Sequence, residues 1–147
     1  MSPADLKAYL HQHIPLSADM AVRVAELDGD KVTLSAELTP NLNHRATAFG
    51  GSISALAILV GWCYVHLRLQ REGHQAHTVI QESSVRYRRP VEGDFSAKCD
   101  VVEEAEWARF SATVTRRGKG RIRLGVTVES AGTVVATFEG AYVASVT

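Results

Sequence analysis

Two adjacent glycines, Gly50 and Gly51, directly precede the most apolar stretch of the chain, residues 53–67. Glycine starts and holds a helix poorly, so helix propensity gives no reason for the pair. The first N–H groups of a helix have no partner inside the helix and lie at the positive end of its dipole. Bare backbone there would let a polar ligand atom approach those N–H groups. The alternative is that the glycines only allow a sharp turn and tight packing of the helix.

Polar side chains that could do chemistry lie on both sides of this apolar stretch. The loop before it contains Asn43, His44 and Thr47, and the segment Thr78–Tyr87 after it alternates as a strand does. Alternation predicts one face with Glu82, Ser84, Arg86 and Arg88, and an opposite face with Val79, Val85 and Tyr87. A glutamate partly buried near the helix start would have a raised pKa and could act as a general base. The alternative is an exposed glutamate paired with Arg86 on the outer face of the sheet.

Composition and charge exclude several classes of function. Sixteen basic and sixteen acidic side chains cancel, which argues against nucleic acid or an anionic membrane surface as the main partner. A net charge of zero also favours self-association. The 147 residues suffice for a single domain over 1–147, and no repeat or linker divides them. Two pairs of histidines, His11 with His13 and His74 with His77, could bind a metal. No cluster of cysteines or carboxylates completes either set, so we expect no metal.

The expected location is the cytoplasm. Cys63 and Cys99 show no paired spacing, and the N-terminus lacks the apolar core of a secretion signal. The apolar stretch 53–67 is shorter than a membrane span and contains Ser54, Gly61 and His66. We therefore expect a buried helix and no membrane contact.

Hydrophobic periodicity predicts the order of the elements. A short amphipathic helix over Pro3–His13 is expected to end at Pro15, and a long helix is expected from Gly51 to about Arg71. The predicted strands are Met20–Leu27, Lys31–Leu38, Thr78–Tyr87, Phe95–Val102, Arg109–Arg116, Arg121–Glu129 and Val134–Val143. Residues 116–120 are expected to form a hairpin tip. This order predicts an α+β fold in which an antiparallel sheet curls around one long central helix.

This plan, with a Gly-Gly pair at the start of the enclosed helix, resembles the hotdog fold and, within it, the acyl-CoA thioesterase superfamily. Asn43 stands seven residues before the Gly50–Gly51 pair, as in the larger thioesterase branch. A second motif begins with Tyr87-Arg88-Arg89-Pro90 and ends with Gly93-Asp94. The segment 47–52, with Gly61-Trp62 two turns later, is similar to a thioesterase subgroup that is sometimes fused to an acetyltransferase domain. The resemblance extends over nearly the whole chain.

The resemblance implies hydrolysis of an acyl thioester, of coenzyme A or of an acyl-carrier protein, by direct attack of water. The N–H groups of Gly50 and Gly51 would hold the oxyanion, Asn43 would orient the reacting groups, and Glu82 would act as base. The expected substrate contacts are His44, Thr47, Phe49, Ile58, Ser84, Arg86 and Arg88. No cofactor is expected, since coenzyme A is part of the substrate. Relatives build this site between two subunits, so we expect a homodimer or a homotetramer.

The chain departs from the family pattern at the position of the usual base. Relatives have a carboxylate on the helix seven residues past the second glycine, where this chain has Ile58. Glu82 is the expected substitute, and His44 is the alternative base. The missing carboxylate also allows a second hypothesis, a protein that binds acyl thioesters without hydrolysing them. A third is an acyl-thioester hydratase or dehydratase, although the histidine motif of those enzymes is not evident.

Overall fold

The computed structural model of this chain describes residues 1–146. The helices are α1 Pro3–His13, α2 Pro15–Asp19, α3 Gly50–Arg71 and α4 Glu104–Arg117, with a 3-10 turn at Thr39–Asn41. The strands are β1 Val22–Asp28, β2 Lys31–Ala36, β3 Ala76–Tyr87, β4 Phe95–Cys99, β5 Lys119–Ser130 and β6 Thr133–Val146. They form one sheet in the order β1-β2-β4-β5-β6-β3, and every neighbouring pair is antiparallel. The predicted α+β plan of an antiparallel sheet with one long helix is confirmed.

Helix α3 is the core helix of the fold. It is long and apolar enough to cross a membrane, but 67% of its most apolar window is buried inside the protein. Burial on nearly all sides explains why its sequence is apolar around most of the circumference. Its last turn contains Arg68 and Arg71, which suit the negative end of the helix dipole, and Gly73 follows with φ +86°.

Helix α4 corrects the predicted strand Arg109–Arg116 and the predicted hairpin tip after it. Phe110 and Val114 alternate with polar residues as they would in a strand, but Trp107 precedes them at helical spacing. All three side chains are buried on one face of α4. Gly118 ends the helix with φ +72°, a left-handed conformation that glycine adopts at low cost.

Two side chains at the C-terminal end of α3, Arg68 and the C-cap residue Glu72, hold α4 in place. The Glu72 carboxylate accepts hydrogen bonds from the Trp107 indole at 2.9 Å and the Ser111 hydroxyl at 2.7 Å. The Arg68 guanidinium donates to Glu104 at 2.7 Å and lies 4.6 Å from the centre of the Trp107 ring. Burial would raise the pKa of Glu72, but the hydrogen bonds from Ser111 and Trp107 lower it below its usual value. These contacts close the C-terminal end of the core helix.

A β-bulge in β3 changes which residues share a face. The register with β6 shifts between Ile80 and Glu82, so Gln81 is an extra residue on the β3 side. Val79, which lies before the bulge, is 61% exposed and shares the outer face with Glu82. Strict alternation places these two residues on opposite faces, and the bulge is the reason for the error. Tyr87 lies on the inner face, and its predicted position opposite Glu82 is confirmed.

Several element boundaries also differ from prediction. Pro15 begins the short helix α2, because proline suits the first turn of a helix. Strand β1 begins only at Val22, since Ala21 before it has φ +56°. Strands β2 and β4 end at Ala36 and Cys99, two and three residues earlier than expected.

Candidate active site

The start of α3 presents two free backbone donors. Phe49 is the N-cap residue, and its carbonyl accepts the N–H groups of Ser52 at 2.9 Å and Ile53 at 3.2 Å. Within residues 1–146, the N–H groups of Gly50 and Gly51 donate to no protein acceptor, and no side chain caps the helix. Two adjacent donors at the positive end of a 22-residue helix can hold an anion or a developing oxyanion.

Two exposed aromatic rings stand beside these donors. Phe49 is 57% exposed, and a Cβ atom on Gly51 would overlap its ring. Tyr87, 53% exposed, donates its hydroxyl to the Gly50 carbonyl at 2.9 Å, and its ring would lie 3.4 Å from a Cβ atom on Gly50. The sequence predicts Phe49 as a substrate contact, whereas it places Tyr87 only in a motif and on a strand face. The one sequence signal for its place is alternation, which puts Tyr87 on the strand face opposite Glu82.

The loop before the helix is shaped by Asn43. Its Oδ1 accepts the backbone N–H groups of Arg45 at 2.8 Å and Thr47 at 3.1 Å, and its Nδ2 donates to Thr47 Oγ1 at 2.7 Å. These are the bonds of an Asx-type loop, and they engage both ends of the Asn43 amide. Thr47 is half-buried against Asn43, whereas His44 is exposed. The catalytic role of Asn43 stays a prediction.

Asn41 holds the backbone of Phe49, the N-cap residue of α3. It is 3% exposed, and its Nδ2 donates to the carbonyls of Met20 at 2.9 Å and Glu37 at 2.7 Å. Its own carbonyl accepts the Phe49 N–H at 2.7 Å, so one buried residue joins three segments of the chain. The sequence pattern indicates only an ordinary loop asparagine here, because the Met20 carbonyl that it binds lies 21 residues away.

Glu82 lies on the outer face of the sheet. Its carboxylate pairs with Arg123 at 2.8 Å and Arg121 at 3.4 Å, rather than with Arg86. The hydrogen bond from Arg123 and the charges of Arg121 and Arg123 lower the pKa of Glu82. Five residues separate it from Tyr87, which is about 16 Å along a strand. The expectation of a partly buried Glu82 with a raised pKa beside the helix start is therefore wrong for this chain, and its role as base stays a prediction.

The predicted site residues fall into two separate groups. Those near the helix start are Asn43, His44, Thr47, Phe49, Gly50 and Gly51. Those on or next to the outer sheet face are Glu82, Ser84, Arg86 and Arg88. The last three line a surface depression of about 400 Å³, together with Asp100 and Glu139. Its walls are polar and contain charges of both signs, so it is a surface feature distinct from the helix start.

Ile58 belongs to a stripe of α3 that the fold leaves half-exposed. The stripe consists of Ala55, Ile58, Trp62 and His66, at helical spacing on one side of the helix. The Trp62 indole donates to the carbonyl of Thr78 in β3 at 2.9 Å, so the stripe runs beside that strand. Within residues 1–146, strand β3 pairs only with β6, and no strand pairs with its other edge. A half-exposed, mainly apolar stripe thus leads away from Gly51 along β3.

Comparison with known proteins gives a family match over almost the whole chain. Residues 3–146 match the family model described as "Putative thioesterase (yiiD_Cterm)". A Chlorobaculum tepidum protein of unknown function is 32% identical with a TM-score of 0.90, over 99% of this chain and 94% of that one. A Shewanella oneidensis protein named a putative thioesterase is 29% identical with a TM-score of 0.85, over 99% and 97% of the two chains.

The fold extends to more distant structures. A Haemophilus influenzae thioesterase shares only 10% identity, but its TM-score is 0.74 over 99% of this chain and 92% of that one. At this identity the likeness concerns the fold alone. The fold common to these structures is the hotdog fold, which confirms the predicted fold class.

Proposed function

The chain belongs to this thioesterase family, and from that membership we propose that it hydrolyses an acyl thioester of coenzyme A or of an acyl-carrier protein by direct attack of water. The observation that supports the proposal is the pair of unpartnered N–H groups of Gly50 and Gly51, within residues 1–146. Attack on the thioester moves negative charge onto the carbonyl oxygen. Two donors fixed in advance stabilise that charge more than they stabilise the uncharged ester.

In this proposal the substrate carbonyl lies at the start of α3. The acyl chain follows the half-exposed stripe past Ile58 and Trp62, where the surface is apolar. The phosphates of coenzyme A remain outside, near Arg88, which directly follows Tyr87 in the chain. Phe49 and Tyr87, whose rings lie beside Gly51 and Gly50, flank the approach to the donors.

Water attack also needs a proton acceptor. The proposal gives this role to His44, in the loop that leads into Gly50, because imidazole can accept a proton near neutral pH. Glu82 is the second candidate, although its lowered pKa makes it a weak base and it faces away from the helix start. Asn43 holds the loop that carries His44.

A second copy of the chain covers the half-exposed stripe of α3 in this proposal. The free edge of the 12-residue strand β3 runs beside the open stripe of α3. A long free edge readily pairs with another strand, so we expect a homodimer, or a homotetramer built from dimers. Cys63 and Cys99 are free thiols, which suits the reducing cytoplasm.

The test is release of free thiol from purified protein and a panel of esters, from acetyl-CoA to long-chain and aryl-CoA, with acyl-carrier esters alongside. We expect release above background for one class of acyl group. The oligomeric state is measured by light scattering in the same buffer. No release from any ester, with a monomer in solution, would contradict the proposal.

A non-catalytic binder is the second candidate function. It is favoured by Ile58, which replaces the carboxylate of relatives, and by the absence of any Asp or Glu on the helix before Glu72. Such a protein would be stabilised thermally by the same esters without releasing coenzyme A.

A further inference from the structure

We propose that Tyr87 is a positioning residue that aligns and strengthens the Gly51 N–H for its role at the oxyanion. This inference rests on the proposed function, and it assigns a role to a residue outside the predicted site. Tyr87 is 37 residues away from Gly50 in sequence, yet its hydroxyl donates to the Gly50 carbonyl at 2.9 Å.

The argument starts from the peptide bond. The Gly50 carbonyl and the Gly51 N–H belong to one planar trans peptide unit, in which they point in opposite directions. A donor that holds the carbonyl therefore also fixes the direction of the N–H. The same bond draws electron density toward the carbonyl oxygen and makes the N–H a stronger donor.

Glycine makes this control necessary. Gly50 and Gly51 have no side chains to restrict the backbone, so the peptide between them is held less firmly than one between larger residues. The carbonyl of Gly50 is also in the first turn of α3, where its only helical partner is the N–H four residues later. The Tyr87 hydroxyl uses the second lone pair of that oxygen.

The backbone around Tyr87 is itself fixed. Tyr87 pairs with Ala136 of β6, and the next residue, Arg88, donates its N–H to the Val135 carbonyl at 2.8 Å. The ring reaches the helix from this anchored strand end. Phenylalanine could fill the same space, so the hydroxyl is the part of the side chain that the inference concerns.

The experiment compares Tyr87→Phe with the wild-type protein. In thiol release, kcat should fall by about threefold to tenfold with KM nearly unchanged, because one hydrogen bond to the donor peptide is lost. Two inhibitors distinguish a loss of oxyanion stabilisation from a general loss of substrate binding. A trifluoromethyl ketone analogue of the acyl-CoA, which forms a tetrahedral oxygen anion or hydrate, should bind about threefold to tenfold more weakly. A thioether analogue without a carbonyl should bind within about twofold of wild type.

Tyr142→Phe is the matched control. The Tyr142 hydroxyl donates to the Ile58 carbonyl of the same helix at 2.7 Å, away from the helix start. Its loss should lower thermal stability without changing the ratio of the two inhibitor affinities.

A readout independent of turnover is the amide nitrogen resonance of Gly51, which responds to hydrogen bonding at the preceding carbonyl. It should move in Tyr87→Phe and stay in place in Tyr142→Phe. If the wild-type protein releases no thiol, the proposed function fails, while the Gly51 resonance and the inhibitor pair still decide the role of Tyr87. An unmoved Gly51 resonance, or equal loss of affinity for both inhibitors, would overturn the inference.

Discussion

The Glu82 carboxylate and the Arg123 guanidinium form an ion pair of 2.8 Å that bridges strand β6 at Ala141. Alanine is small enough to let the two side chains meet above it. Arg121 joins the pair at 3.4 Å. The carboxylate is thus ionised and engaged by two cations on the outer face, which makes it a poor proton acceptor.

Glu82→Gln should therefore keep the rate of thioester hydrolysis within about threefold of wild type. His44→Gln should reduce kcat by a factor of about 100 or more, as expected for loss of a general base. Steady-state kinetics of both variants on one substrate measures the difference. The opposite pattern, a hundredfold loss in Glu82→Gln alone, would return the base to Glu82.

Two glycine-to-alanine substitutions in α3, Gly50→Ala and Gly61→Ala, should have opposite effects on activity and stability. Gly50→Ala brings only an ordinary contact with the Tyr87 ring at 3.4 Å, and alanine favours helix by about 1 kcal/mol, so stability should not fall. Turnover should fall by about tenfold or more, because the methyl group obstructs the approach to the N–H donors.

The matched variant is Gly61→Ala in the buried middle of α3, where a Cβ atom would overlap the Tyr142 hydroxyl. Overpacking of this kind should cost about 1–3 kcal/mol of unfolding free energy. Urea unfolding measures both variants. A Gly50→Ala protein with full activity would argue against a substrate carbonyl at the helix start.

The docking of α4 should depend on pH through Glu72. Its pKa in the folded state is lowered, so its ionised form stabilises the fold above its ordinary pKa of 4.5. This contribution should be lost as the pH falls below 4.5 and through the lowered value. Urea unfolding between neutral and acid pH should show the difference between wild type and Glu72→Gln shrinking in that window. A difference that does not change with pH would exclude this carboxylate as the titrating group.

Both cysteines should be unreactive in the folded protein. Burial raises the pKa of Cys63 to about 12, and burial together with the nearby Asp100 and Asp30 raises that of Cys99 to about 12. A thiol reagent at pH 8 should label neither side chain within minutes, and both should react in guanidinium. Rapid labelling of Cys99 in native buffer would show that the end of β4 opens. Slow labelling also keeps the background of the thiol-release assay low.

Hydrophobic periodicity predicted the secondary structure correctly in segments whose pattern fits only one kind of element. Residues 31–36 alternate strictly and form β2, with Val32, Leu34 and Ala36 buried. Residues 53–67 are apolar on nearly every side and form the enclosed helix. In both segments, burial is the property that the pattern directly encodes.

Periodicity predicted the wrong element where the apolar spacing fits both a strand and a helix. Phe110 and Val114 fit both a strand and a helix, and only Trp107 favours the helix. The partners that hold α4 in place, Glu72 and Arg68, lie 35 and 36 residues away from their contacts on it. No local window includes them.

The candidate site shows the same limit. The motif located the donors of Gly50 and Gly51, because the start of a helix is a local feature. The pairing of Glu82 with Arg123 and the bond from Tyr87 to Gly50 depend on a bulge and on strand order, which bring together residues 41 and 37 positions apart.

The open stripe of α3 and the free edge of β3 link the stability of this fold to its abundance. Under the proposed dimer, apolar surface at Ile58 and Trp62 leaves water only when a second copy is bound. Mass action then adds a term in total chain concentration to the free energy of unfolding. The thermal midpoint should rise as the concentration of the protein rises. A cell that makes little of this chain would hold it closer to its melting point.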